Sequence, residues 1–130
     1  MTHFRNPSTL LPPPGPYSQV VRAGDLAFVS GQVGADATGE LVGPGIPEQA
    51  TQALENISLA LAEVGMSLAD VVKLTIFVAD AADLATLVPH MDALFPARFP
   101  AGLPASSLVI VQRLFDPALR IEIEAIARAR

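Results

Sequence analysis

Two carboxylates alternate with aliphatic residues near the C-terminus. Glu122 and Glu124 stand between Ile121, Ile123 and Ala125. On an extended strand this spacing puts both acids on one face and the aliphatic side chains on the other. The plain reading is a solvated strand face. Against it, Ile126 continues the acidic face, and a carboxylate on a half-buried face gains a raised pKa and can serve as a general base. Other chemistry is sparse. His3 and His90 are the only histidines, and neither has a partner at metal-ligand spacing, so no metal site is expected. Ser18, Ser30, Ser106 and Ser107 are hydroxyl candidates, but no G-x-S-x-G elbow surrounds them and no histidine is placed as their base. Gly31 and Gly34 do not open a helix and so make no phosphate loop. No signature of a nucleotide or organic cofactor is present. Arg98, in ALFPARFPAGLP, reads as a loop residue before a strand. It is either a solvated charge or a two-pronged clamp for a carboxylate.

The chain around these residues has 130 positions, enough for one domain spanning 1–130. Its net charge of −5 argues against a phosphate-backbone binder, so no nucleic-acid partner is expected. With 51% hydrophobic and only 16% charged residues, it can bury a large core, and the apolar excess points to an oligomer. Cysteine is absent, which removes thiolate nucleophiles, disulfides and cysteine-based metal centres. No apolar run is long enough to span a bilayer, and the N-terminus lacks the apolar region of a signal peptide. A cytoplasmic protein is therefore expected.

The elements that position these residues follow from periodicity. Residues 1–18 are proline-rich and read either as a stiff, partly frayed lead-in or as a segment packed against a site, since Tyr17 is the only tyrosine. Gln19–Ala23 and Leu26–Gln32 read as a hairpin around Gly24-Asp25. Pro47–Val64 is the clearest helix, with Ala50, Leu54, Ile57, Leu61 and Val64 on one stripe. Val71–Asp80 reads as a strand, with Val72, Leu74, Ile76 and Val78 on one face and Val71, Lys73, Thr75 and Phe77 on the other. Leu84–Phe95 reads as a second helix whose regular part starts near Val88, because Pro89 interrupts it. Ser107–Gln112 and Arg120–Ala127 complete the order ββαβαββ. Two helices cannot cover both faces of such a sheet, so the economical fold is an α+β sandwich with helices on one face. The other face, holding Phe77, Val71 and Ile126, then favours a contact between subunits.

Periodicity says nothing about substrates, but particular strings do. GPYSQVV (15–21), FVSGQVG (28–34), QATQALENI (49–57), VVKLTIFVAD (71–80) and RIEIEAIA (120–127) occur together and in order. The chain resembles the RidA/YjgF family of reactive-intermediate deaminases from about Asn6 to Ala127. The resemblance implies a chorismate-mutase-like subunit and a homotrimer with an inner barrel of sheets. It also implies a small-molecule cleft at each subunit interface and hydrolysis of reactive enamines and imines to keto compounds and ammonia without a cofactor. Tyr17 then matches the tyrosine lining the cleft. Ser30 and Gly31 match the ligand-binding SGQ motif, and Glu122 matches the acid that positions the attacking water.

The departure from the family pattern is Ser106. The deaminating branch reads Pro-Ala-Arg at this strand start, and that arginine clamps the substrate carboxylate; here Pro104-Ala105 is followed by Ser106. A hydroxyl cannot replace a bidentate guanidinium. Arg98 spells a similar FPAR but stands too far from Glu122 in sequence, so Ser106 is taken as the equivalent position; Arg98 or Arg113 remains as a compensating cation. The family's nearby Asn and Tyr fall near Val88 and Met91. The expected function is hydrolysis of a small imine, enamine or related carbonyl compound with altered specificity. The alternative is a non-catalytic, metabolite-binding trimer of the same fold. A ribonuclease reading, attached to some relatives, is opposed by the acidic balance and the missing acid–base histidine pair.

Overall fold

The computed structural model describes all 130 residues. Along the chain run β1 (Thr2–Arg5), β2 (Val20–Ala23), β3 (Leu26–Val33), α1 (Ile46–Glu63), β4 (Val71–Val78), α2 (Leu84–Arg98), β5 (Ala105–Ile110) and β6 (Ile121–Arg128). The six strands form one mixed sheet in the order β1-β2-β3-β6-β4-β5. Only β4 and β5 are parallel, and α2 makes the crossover between them. Both helices lie on one face, giving the α+β layering that the sequence implies. No helix is long and apolar enough to cross a membrane.

The core lies between α1 and the sheet. Leu54, Ile57 and Leu61 of α1 are fully buried against Val20, Leu74, Ile76, Ile121 and Ile123. α1 stops where its carbonyls find other donors: Gly65, at φ 75°, donates to Ala62 O, and Met66 donates to Leu61 O. The β2–β3 turn holds Gly24 at φ 63°, a conformation glycine adopts without strain.

Three expectations need correction. Residues 2–5 are not a frayed lead-in but the edge strand β1, in register with β2 from Thr2↔Ala23 to Arg5↔Val20. In β4, a bulge between Val71 and Lys73 turns Val71 into the core and leaves Val72 48% exposed, reversing their expected faces. Helix α2 begins at Leu84 and continues through Pro89 to Arg98, so Arg98 ends a helix rather than sitting in a loop. Ala85 and Pro89 are both exposed, so the carbonyl that loses its donor faces water, while buried Leu87 anchors the turn.

No helix covers the sheet face away from α1 and α2. Registers place Phe4, Val21, Phe28 and Ile126 in one row across it, and Glu122, Phe77 and Val109 in another. Phe4 is 64% exposed, and Phe28 and Val109 are each 43% exposed.

Candidate active site

The β3–β6 ladder is irregular where the chemistry lies. Val29 pairs with Ala125 and Gln32 with Ile123, so Ser30 and Gly31 bulge out between them. The bulge lets β3 carry a glycine beneath an acid. A Cβ on Gly31 would lie 2.6 Å from Cδ of Glu122 and 2.8 Å from its Oε2, so only glycine leaves the carboxylate room. Glu122 is flanked in register by Val33 and Phe77. It is half-buried and makes no hydrogen bond or ion pair within the chain. Burial pushes its pKa up, and the negative charge of Glu124 adds to the rise. Tyr17 is also shifted upward, by burial first and then by the charge of Glu122, so it keeps its proton and can donate.

These groups line a pocket of about 420 Å³. Tyr17, Gly31 and Glu122 form part of its wall. Leu10, Leu11, Pro12 and Pro14 supply another part, which decides between the two readings of the N-terminal segment in favour of packing. The segment is held at its base: Gln19 N–H donates to Asn6 Oδ1 (2.9 Å), and Gln19 Nε2 donates to Leu11 O (3.0 Å). Phe115, Asp116 and Leu119, from the loop before β6, close another side, and Asp36 lines the wall beyond β3.

Ser30 stands behind the wall. Its hydroxyl donates to Ser18 O at 2.7 Å and its N–H to Gln19 O at 2.9 Å, fastening the Tyr17 segment to β3. Ser106 is elsewhere. It is the second residue of β5, beyond β4 as seen from β6, and pairs with Leu74 on the helix-side face. A single chain therefore brings Tyr17, Gly31 and Glu122 together, with Ser30 supporting them, and leaves Ser106 apart. The cations considered as substitutes are engaged. Arg98 pairs with Glu55 at 3.5 Å. Arg113 donates to the carbonyls of Leu114 and Phe115 at 3.1 and 3.0 Å.

Buried glutamines and an asparagine brace this end of the fold. Gln32 Nε2 donates to Gln19 Oε1 (2.8 Å) and Asn56 Nδ2 to Val33 O (3.0 Å). Gln49 takes Arg120 N–H on Oε1 (2.8 Å) and donates to Gly43 O (3.0 Å), joining α1 to the loop before β6. Sequence reading missed these braces, and with them Asp36, Leu10, Leu11, Phe115 and Asp116. They sit in loops or at buried polar positions, where no periodicity marks them.

The α+β subunit, one mixed sheet with both helices on one face, is the architecture that the RidA/YjgF resemblance implies. The family model described as Endoribonuclease L-PSP matches residues 8–129. The RutC family protein PH0854 of Pyrococcus horikoshii is 43% identical over 116 residues, covering 88% of each chain. The 2-iminobutanoate/2-iminopropanoate deaminase of Salmonella typhimurium is 40% identical over 116 residues, covering 89% of each. Among solved structures, Escherichia coli TdcF with bound serine has a TM-score of 0.89 at 32% identity, covering 98% of this chain and 99% of that one. The YjgF gene product of Escherichia coli has a TM-score of 0.86 at 38% identity, covering 95% and 96%. The chain belongs to the RidA/YjgF, or L-PSP, family.

Proposed function

We propose that the protein hydrolyses a small imine or enamine to a carbonyl compound and ammonia, with Glu122 as the general base. The carrying observation is the Glu122 carboxylate: half-buried, raised in pKa, free of partners, and set beside Tyr17 in a pocket of molecular size. The ionised carboxylate takes a proton from water as the water oxygen bonds to the imine carbon and the C=N electron pair moves to nitrogen. That proton passes on to nitrogen, and the C–N bond of the carbinolamine breaks as its hydroxyl gives its own proton to the Glu122 carboxylate, leaving the carbonyl compound and ammonia. Tyr17, still protonated, orients the ligand by donating a hydrogen bond. The deaminase name of the Salmonella relative, at 40% identity, supports this reaction class.

The site is completed between the subunits of a homotrimer in the cytoplasm. The uncovered sheet face supports the assembly, and in this reading a neighbour's Ser106, from the start of its β5, completes the Glu122 pocket. With Ser106 there instead of a cation, binding of an anionic 2-imino acid is weakened and specificity is altered. The test is ammonia release from imines and enamines generated in situ, with wild-type protein and Glu122→Gln. Acceleration lost in the variant supports the proposal. Ligand binding without acceleration by the wild type replaces it with the metabolite-binding reading.

A further inference from the structure

The pocket that carries the proposed reaction has an uneven lining. Its charged residues are Asp36, Asp116 and Glu122, and no Arg, Lys or His faces it. The rest is largely apolar, with Leu10, Leu11, Leu41, Phe115 and Leu119 around the ligand space. Phe115 is 81% exposed, an aromatic ring left at the mouth with little to cover it.

Cations from elsewhere in the chain do not redress this balance. Arg98, Arg120, Arg128 and Arg130 are paired with Glu55, Asp83, Asp25 and Asp70. Arg113 is folded onto its own loop's carbonyls, and Lys73 donates to Ser107 at 2.7 Å. Arg22 is held by Gly24 O and Val64 O at the hairpin end, and Arg5 by Phe4 O and His3. A second copy of the chain brings a serine, not an arginine, at position 106. Asp36 and Asp116 are fixed in place: Asp36 Oδ1 accepts from Thr38 N–H (2.9 Å) and Asp116 Oδ1 from Ala118 N–H (2.8 Å).

We infer that the substrate is a carboxylate-free iminium with an apolar body, the kind formed by oxidation of an alkyl or arylalkyl amine, rather than an anionic 2-imino acid. The inference rests on the proposed imine hydrolysis at this same pocket and names its substrate class. The reaction balances with water alone: R–CH=NH2⁺ and H2O give R–CHO and NH4⁺. The positive nitrogen lies among the carboxylates, and the hydrocarbon lies against the leucines and Phe115. A substrate carboxylate would meet three like charges, and no cation in the lining offsets them.

The test uses probes that share one hydrocarbon body. Isopentylammonium and 4-methylpentanoate are titrated calorimetrically into the wild-type protein. The ammonium binds about tenfold more tightly, a preference that shrinks with added salt. Asp116→Asn, which keeps the oxygen that accepts from Ala118 N–H, reduces the preference several-fold, and Phe115→Ala weakens the ammonium without reversing the order. Equal binding, tighter binding of the carboxylate, or binding of neither overturns the inference.

Turnover then separates this inference from the reading beneath it. The iminium of isopentylamine, made in situ by a flavin amine oxidase, is compared with the imino acid of leucine, made by an amino-acid oxidase. Hydrolysis of the imino acid in preference to the iminium overturns the inference and leaves the hydrolase reading intact. Ammonium-selective binding with neither imine hydrolysed sinks the hydrolase reading and supports cation selectivity.

Discussion

Glu122 works as a base only when ionised, yet its surroundings favour the proton. Burial is the larger cause and the charge of Glu124 the smaller. The acid limb of kcat/KM therefore lies above the usual carboxylate range, and activity rises with pH through it. Glu124→Gln removes a like charge, so the limb moves to lower pH; a pH–rate profile of both proteins checks this. The sign for folding is opposite. A carboxyl with a raised folded pKa binds its proton more tightly in the native state, so ionising it costs stability as pH rises through that value, with no cost below the unfolded pKa. Ser106 decides how well an anionic substrate is held. Ser106→Arg supplies the two-donor contact that an anionic substrate requires, so hydrolysis of 2-iminobutanoate rises about tenfold or more in coupled ammonia assays. Robust wild-type turnover of that substrate, unchanged by Arg98→Ala and Arg113→Ala, would show that no clamp is needed.

Two glycines on or beside β3 look alike in sequence but fail differently when filled. At Gly31 a methyl strikes the end of a side chain, the Glu122 carboxylate, which must swing away. At Gly34 a Cβ would lie 2.5 Å from Cα of Gln49, part of the α1 backbone, and neither element can yield cheaply. Gly31→Ala should thus keep its unfolding midpoint while losing activity about 100-fold. Gly34→Ala should lose about 2 kcal/mol of stability, seen in denaturant melts. Legibility in the sequence divides along the same physical line. Helix α1 was readable because its Ala50–Leu54–Ile57–Leu61 stripe is local, and the Glu122 face because strand alternation is local. Strand β1 was not readable: Thr2–Arg5 has no strand signal beyond what pairing with β2 creates. The β4 bulge, which exchanges Val71 and Val72, and the Ser30–Gly31 bulge depend on partner strands. So does the meeting of Leu11, Tyr17, Phe115 and Glu122 in one pocket, which no spacing announces. The family strings supplied Tyr17 and Gly31 where periodicity was silent.

For the whole molecule, the uncovered sheet face is the strongest constraint. Phe4, Phe28, Phe77, Val109 and Ile126 lie on a face with no helix over it, and exposed apolar area of this kind marks an interface. Light scattering at micromolar concentration should give about three times 13.6 kDa. Phe28→Asp places a charge within the row joining β2, β3 and β6, so it should shift the population to smaller species and lose activity with assembly. A wild-type chain that stays monomeric and active would remove the shared site.

The segment from Pro7 to Ser18 is fastened at both ends, by β1 against β2 and by the bonds from Gln19 to Asn6 and Leu11. Glu122 and Gly31 belong to the sheet, whereas Leu10, Leu11, Pro12 and Pro14 belong to this strap. Lengthening a loop whose ends are already fixed costs little, because closure entropy grows only slowly with length. The strap is thus an exchangeable cassette: selection, or an engineer, can rewrite residues 11–16 and reshape the chamber without disturbing the reacting carboxylate, while Leu10 stays with the core. Asn6, Leu10, Gln19 and Ser30 are residues that such a redesign must keep.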